Sequence, residues 1–209
     1  MRTFLKIIFF IVLGSNMAFG QLTVRLFNYR PTGEFGFVMK PLYSVEIGWQ
    51  NPFYKSRFRI GFSLTYLKMK PRLDVFPVSG VLTDGSGTRV LPGTESFQKY
   101  NIGLLIVDED FAFVQQKKFN IFIGTGIMIG AASVNYTNQV QSVINETYQG
   151  GGIIGGFRFR IGAEYIVNDY VAITIIANRN IFLVSDPGAI NWANDYGIGV
   201  RYTFNAKSL

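Results

Sequence analysis

After residue 20 the chain alternates, position by position, between apolar residues and small or polar ones, and few folds accept that pattern over such a length. Successive side chains of a strand point to opposite faces, so each such segment makes a strand with one greasy face. Phe35–Gln50 sets Phe35, Phe37, Met39, Pro41, Tyr43, Val45, Ile47 and Trp49 against Gly36, Val38, Lys40, Leu42, Ser44, Glu46, Gly48 and Gln50. Tyr54–Met69 sets Phe58, Ile60, Phe62, Leu64 and Tyr66 against Arg57, Arg59, Gly61, Ser63 and Thr65. Phe119–Asn135, Ile153–Val167, Tyr170–Leu183 and Trp192–Phe204 repeat the arrangement. In Gln98–Val114 the apolar parity is read as Tyr100, Ile102, Leu104 and Ile106, opposite Asn101 and Gly103. Gln21–Tyr29 is a short eighth segment, with Leu22, Val24 and Leu26 opposite Thr23 and Arg25.

Connectivity supports that eighth strand. From the C-terminus backwards, the links alternate long and short: 184–191, Asn168-Asp169, 136–152, Gln115–Lys118, 70–97 and Asn51–Phe53. Arg30–Glu34 then serves as the remaining link on the long-loop side. Short turns at one end, longer loops at the other and an even strand number are the marks of an outer-membrane barrel. The expectation is an all-β, transmembrane, antiparallel up-and-down barrel of eight strands over residues 21–209.

Volume decides which face is lipid. The interior of an eight-stranded barrel is just wide enough for side chains to fill. One parity carries Gly48, Gly61, Gly103, Gly124, Gly126, Gly162, Gly197 and Gly199 beside long arginines, a small-beside-large set that suits a crowded lumen. The other is a run of Phe, Ile, Leu, Val and Tyr, too bulky to point inward from eight strands at once. A β-sandwich would put Lys, Glu and Thr on its second face rather than glycine. Trp49, Tyr54, Tyr165 and Phe204 near the turns, and Tyr66, Tyr100 and Tyr196 near the loops, are placed as two interfacial girdles.

Residues 1–20 have the layout of a cleaved secretory signal peptide. Arg2 and Lys6 lead, the apolar run Leu5–Leu13 follows, and Ala18-Phe19-Gly20 closes it. The run is shorter than the about 20 residues a spanning helix needs. Cleavage after Gly20 leaves Gln21 first. The formal charge of +7 includes Arg2 and Lys6, and the remaining Lys and Arg are scattered, so nucleic acid is not expected as a partner. The chain has no cysteine and no histidine, which removes disulfides, thiolate chemistry, the usual general base and the commonest metal ligand. No phosphate-loop, nucleophile-elbow or metal-spacing motif appears, so no catalytic residue, metal or cofactor is expected.

The inward parity collects Arg25, Glu46, Arg57, Arg59, Arg158, Arg160, Glu164, Asp195 and Arg201. Buried ions must be paired or hydrated, because an isolated one costs several kcal/mol. The expected arrangement is a salt-bridged plug, with Glu46 meeting Arg57 and Arg59, and Glu164 meeting Arg160. Six arginines against three acids leave open a positively charged passage, unless Glu109, water or a partner's acidic segment meets the surplus. Asp108 and Asp110 break the pattern. The register of Gln98–Val107 carries them to the lipid face, so the segment contains a bulge, has reached the periplasm, or faces another protein.

The stretch Gly197-Ile198-Gly199-Val200-Arg201-Tyr202-Thr203-Phe204 alternates aromatic and aliphatic residues toward a final aromatic. With the Gln after the cleavage site and the Gly-rich strands, it resembles the small outer-membrane β-barrels common in Bacteroidota, of PorT-like type. The resemblance implies that Tyr202 and Phe204 form the signal read by the barrel-assembly machinery. Asn205–Leu209 extend past the position where that signal ends. It further implies an outer-membrane location among lipid and a role as structural barrel, adhesin, pore, or subunit of a secretion or assembly complex.

Overall fold

Nine strands and one short helix succeed one another: β1 (Gln21–Thr32), α1 (Gly33–Val38), β2 (Leu42–Gln50), β3 (Phe58–Met69), β4 (Phe76–Asp84), β5 (Gly87–Gln115), β6 (Phe119–Val140), β7 (Ile144–Ile166), β8 (Val171–Leu183) and β9 (Ile190–Thr203). The structure, a computed structural model, describes residues 20–51, 53, 57–84, 87–140, 144–183 and 190–204. The leader up to residue 19, Tyr54 and the tail 205–209 lie outside the described residues.

All neighbouring strands are antiparallel. β3 pairs with β5 and β1 with β9, so β1-β2-β3-β5-β6-β7-β8-β9 closes on itself as an eight-stranded barrel. Burial alternates with period two along these strands, as in Gln21, Thr23, Arg25, Phe27 and Tyr29 of β1, all buried. The opposite parity is exposed and apolar almost throughout: Val24, Leu26, Ile47, Ile60, Leu64, Ile123, Phe157, Ile175 and Ile198 all stand on the outer face. In water such a surface would be unstable. Around a closed barrel it is a lipid-facing belt.

Three expectations from the sequence are corrected. Phe35–Gln50 is not one strand: Gly33 takes a positive φ of 62°, the chain turns into α1, and β2 begins pairing only at Leu42, opposite Tyr29. Met39, assigned to the greasy outer parity, instead turns inward and is buried. Second, 70–97 and 136–152 are not merely loops. β4 pairs with the first part of β5, Gly93–Phe97 of β5 pairs with Tyr136–Val140, and β6 continues against β7 to its tip. A four-stranded sheet therefore projects from one side of the loop end. β6 alone has 22 residues, twice the 9–11 that cross a bilayer.

The third correction concerns β5, whose parity is the reverse of that read from the sequence. Ile102, Leu104 and Ile106 are buried in the lumen, and Tyr100 packs against them rather than joining a girdle. Leu105 and Phe113 face out. Asp108 and Asp110 follow in the same inward register, 3% and 2% exposed, so none of the three expected explanations applies. Register shifts in β5 fall at Phe97/Lys99 and Ala112/Val114, on either side of the acids.

Candidate functional site

The lumen is filled in two layers. Toward the loop end an apolar layer gathers Tyr29, Met39, Leu67, Met69, Ile102, Leu104, Ile106, Met128, Ile154 and Phe182. The segment after α1 helps to close it, since Val38 and Met39 pack on the layer and Met39 bridges to Pro71. Backbone bonds from Lys40 N to Lys70 O (2.8 Å) and from Arg72 N to Val38 O (2.7 Å) tie that segment to the end of β3.

Toward the turn end the lumen is ionic. Arg57 is not part of it: it precedes β3 and is exposed. Glu109 faces out, so it neutralises nothing inside. Asp108 and Asp110 replace them in the count, and the buried charges are five arginines (25, 59, 158, 160, 201) against five carboxylates (46, 108, 110, 164, 195). The arginine surplus read from the sequence does not exist.

These groups form one alternating chain. Glu46 lies opposite Arg25 in the β1–β2 register and accepts from it at 2.6 Å, while its other oxygen accepts from Arg158 across the lumen at 2.8 Å. Arg158 reaches Asp108 at 3.8 Å and Asp195 at 3.9 Å. Arg160 pairs with Asp108 and lies 3.3 Å from Asp110, a contact too misaligned to be a hydrogen bond. Asp110 sits opposite Arg59 in the β3–β5 register and accepts from its Nε at 3.1 Å and Nη2 at 2.8 Å. Arg59 also reaches Glu164 at 3.2 Å, and Arg201 donates to Glu164 at 3.0 and 3.2 Å.

The partners therefore differ from those expected. Glu46 meets Arg25 and Arg158 rather than Arg57 and Arg59, and Glu164 meets Arg59 and Arg201 rather than Arg160. Arg160 turns its guanidinium to Asp108 and Asp110 of β5, while both oxygens of Glu164 are taken by Arg59, Arg201 and Asn120. Amides carry the network to the two remaining barrel strands. Asn120 of β6 donates to Glu164 at 3.1 Å, and on β8 Asn178 and Asn180 donate to Asp195, the latter at 2.7 Å.

Glycine makes room for this. Arg25 lies opposite Gly199, Phe27 opposite Gly197, Asp108 opposite Gly126, Asp110 opposite Gly124 and Phe122 opposite Gly162. A Cβ at Gly199 would stand 2.6 Å from Cγ of Arg25, and one at Gly162 would meet the Phe122 ring. At the turn-side mouth the Arg59 guanidinium is held between aromatic rings, 4.1 Å from the centre of Phe53 and 4.7 Å from that of Phe122. Little space is left. The cavity between the two layers, beside Glu46 and Arg158, measures about 10 Å³, and the one around Arg25 and Arg160 about 0 Å³. A single water needs about 10–15 Å³.

Tyr202 and Phe204 lie on the outer face at the turn end, where Phe204 stacks on Trp49 at 5.4 Å, and Tyr202 on Tyr170 at 6.4 Å. That is an aromatic girdle. Among the described residues no group of three or more acidic side chains could hold a metal ion.

Neither a family model nor a curated sequence matches the chain. Solved structures do. Neisserial surface protein A is similar over 88% of this chain and 97% of its own, at 13% identity and a TM-score of 0.57. Ail of Yersinia pestis, solved with the heparin analogue sucrose octasulfate, covers the same shares at 9% identity and a TM-score of 0.46. The N-terminal β-barrel domain of Pseudomonas aeruginosa OprF does so at 16% and 0.42. At such identities the likeness speaks for fold alone. Joined to the closed sheet, the filled lumen and the apolar belt, the likeness to Neisserial surface protein A makes this chain an eight-stranded β-barrel protein of the outer membrane.

Proposed function

We propose that the protein is a non-catalytic, non-conducting barrel that serves as a structural or accessory subunit of an outer-membrane assembly, with the projecting sheet as its working surface. The observation that carries this reading is the sealed lumen. Its buried charges balance five against five, and the cavities beside Glu46 and Arg158 and around Arg25 and Arg160, about 10 and 0 Å³, hold one water at most, which supports a barrel without a route for solute. The PorT-like resemblance of the sequence points the same way, toward secretion or assembly complexes.

One feature of the outer face favours a subunit over a solitary barrel. Glu109 stands exposed on the lipid side of β5, paired in register with Thr125 of β6 and Ile60 of β3. Ionisable groups in a lipid-facing belt are rare and mark function by default. A cationic or hydrogen-bonding group on a neighbouring membrane protein would satisfy it.

Two measurements test the proposal. The wild-type protein in planar bilayers is expected to be electrically silent, and steady anion-preferring channels would replace this reading with that of an arginine-lined pore. Affinity purification from native outer membranes is expected to bring down a stoichiometric membrane partner, and Glu109→Leu is expected to lose it while the barrel stays folded. A barrel that always purifies alone would remove the subunit role.

A further inference from the structure

A second cluster of arginines lies outside the lumen, where neither the charge network nor the subunit reading uses it. Arg30 of β1 and Arg179 of β8 both lie opposite Asn194 of β9, so Arg30, Asn194 and Arg179 form one row across three strands on the outer face. Arg179 donates to Asn194 at 2.8 Å and lies over the Trp192 ring at 4.5 Å, while Arg30 donates through Nε to Asn28 at 2.9 Å. Both guanidiniums are thus held along the barrel wall. Among the described residues neither has a carboxylate partner.

Their height is set by the strand. Asn194 stands ten residues from Phe204, about 34 Å of strand, or about 25 Å of height at the usual tilt. That matches the height of the apolar band, and Phe204 sits in the turn-side girdle, so the row lies at the opposite interface. With turns in the periplasm, this is the outer leaflet's headgroup level.

Directly below, the outer face is indented. A groove of about 680 Å³, almost wholly apolar, runs between Leu26, Ile161, Ile175 and Ile198, with the small Ala163 and Ala177 among its lining. Its upper lining includes Asn28, Tyr196 and Ala177, which also share one row in the register. The next outward row is Arg30, Asn194 and Arg179. A basic pair therefore closes the headgroup end of a groove that opens only to lipid.

We propose that this face binds an anionic, phosphate-bearing lipid of the outer leaflet, with its phosphate between Arg30 and Arg179 and one acyl chain in the groove. Guanidinium groups present forked donors that match phosphate oxygens. The groove supplies the apolar complement, and charge complementarity selects an anionic over a zwitterionic headgroup.

The test is native mass spectrometry of the full protein released from neutral detergent, titrated with dipalmitoyl phosphatidylglycerol or with phosphatidylcholine of the same chains. Retention of phosphatidylglycerol is expected to exceed that of phosphatidylcholine by at least about tenfold, because phosphatidylcholine carries the same phosphate but adds a quaternary ammonium that the two guanidiniums repel. Arg30→Gln with Arg179→Gln is expected to bring the two lipids level. Ala177→Leu, which fills the groove and leaves both arginines, is expected to weaken retention severalfold. Water-soluble glycerophosphoglycerol, with the headgroup but no chains, is expected not to bind. A heat-induced gel shift shows that each variant is folded, and if the double variant alone misfolds, Ala177→Leu and the chainless headgroup still decide. Equal retention of the two lipids by the wild type, or unchanged preference in a folded double variant, overturns the proposal.

Discussion

Glu46→Ala is the sharpest probe of the lumen. Glu46 is 1% exposed and accepts from Arg25 on its own side of the barrel and from Arg158 on the far side. Truncation leaves two buried guanidiniums short of a counter-charge, and the balance of five against five becomes five against four. Breaking a buried pair by removing one partner costs about 3–5 kcal/mol. Two pairs are broken here, but neither arginine is stranded: Arg25 keeps Gln50 at 2.8 Å, and Arg158 keeps Asn180 at 2.9 Å with Asp108 and Asp195 just under 4 Å. The two losses therefore sum to less than twice the single-pair value, and about 3–5 kcal/mol is expected in all. The assay is reversible urea unfolding in phospholipid vesicles, followed by tryptophan fluorescence and by the gel shift on boiling. Arg158→Met restores the charge balance, so Glu46→Ala with Arg158→Met is expected to be less destabilised than the two single changes added together. Additive losses, or Glu46→Ala within about 0.5 kcal/mol of wild type, would refute the network as a coupled unit.

The other predictions concern faces, space and processing. Leu105→Arg and Ile198→Arg on the lipid face should each destabilise by about 2–4 kcal/mol in the same assay. Leu104→Ala should cost about 2–5 kcal/mol for a different reason, a cavity in the apolar layer, and Leu105→Arg tolerated without loss would return β5 to the inverted parity. Gly162→Ala should lose about 1–3 kcal/mol by forcing Phe122 aside, whereas Gly103→Ala, with nothing within 4 Å of the added carbon, should be neutral by the urea midpoint. Mass spectrometry of the mature protein is expected to find Gln21 at the N-terminus, and retention of residues 1–20 would remove the signal-peptide reading.

Most of the barrel could be read from alternation because seven strands have one face that is unambiguously greasy. The exception, β5, shows what alternation lacks. From Ile102 to Val107 both parities are apolar apart from Gly103, since the loop half of the lumen is itself an apolar layer. A strand that passes between two apolar environments carries no sign of which is lipid. The acids further along carry it: Asp108 and Asp110 can only be inside, and read backward from them Ile106, Leu104 and Ile102 must be inside as well. Arg57 failed for the opposite reason, because its parity was right but β3 starts one residue after it. The apolar layer had a weaker signal, in the Leu67 and Met69 that continue the polar parity of β3 toward the loop end. The projecting sheet had none, because its segments carry no membrane-facing alternation.

The division of the lumen into an ionic turn half and an apolar loop half bears on where function can lie. An ionic layer with a net charge would hold counter-ions or a ligand, and an apolar layer with a gap would hold a hydrophobe. Here the charges cancel, Asn120, Asn178 and Asn180 occupy further carboxylate oxygens, and the cavity between the layers is about 10 Å³. The lumen's ion pairs are thus met from within, although single buried atoms such as Oδ1 of Asp108 and the hydroxyl of Tyr29 carry no hydrogen bond. The charged groups that the proposals use stand instead on the exterior, Glu109 on the lipid side of β5 and Arg30 and Arg179 at the outer headgroups, with the sheet of β4 to β7 beyond them, three heights in all. That layout fits the proposed reading of a membrane-anchored platform. It predicts that substitutions within the lumen change stability, while substitutions at those three heights change what the barrel binds.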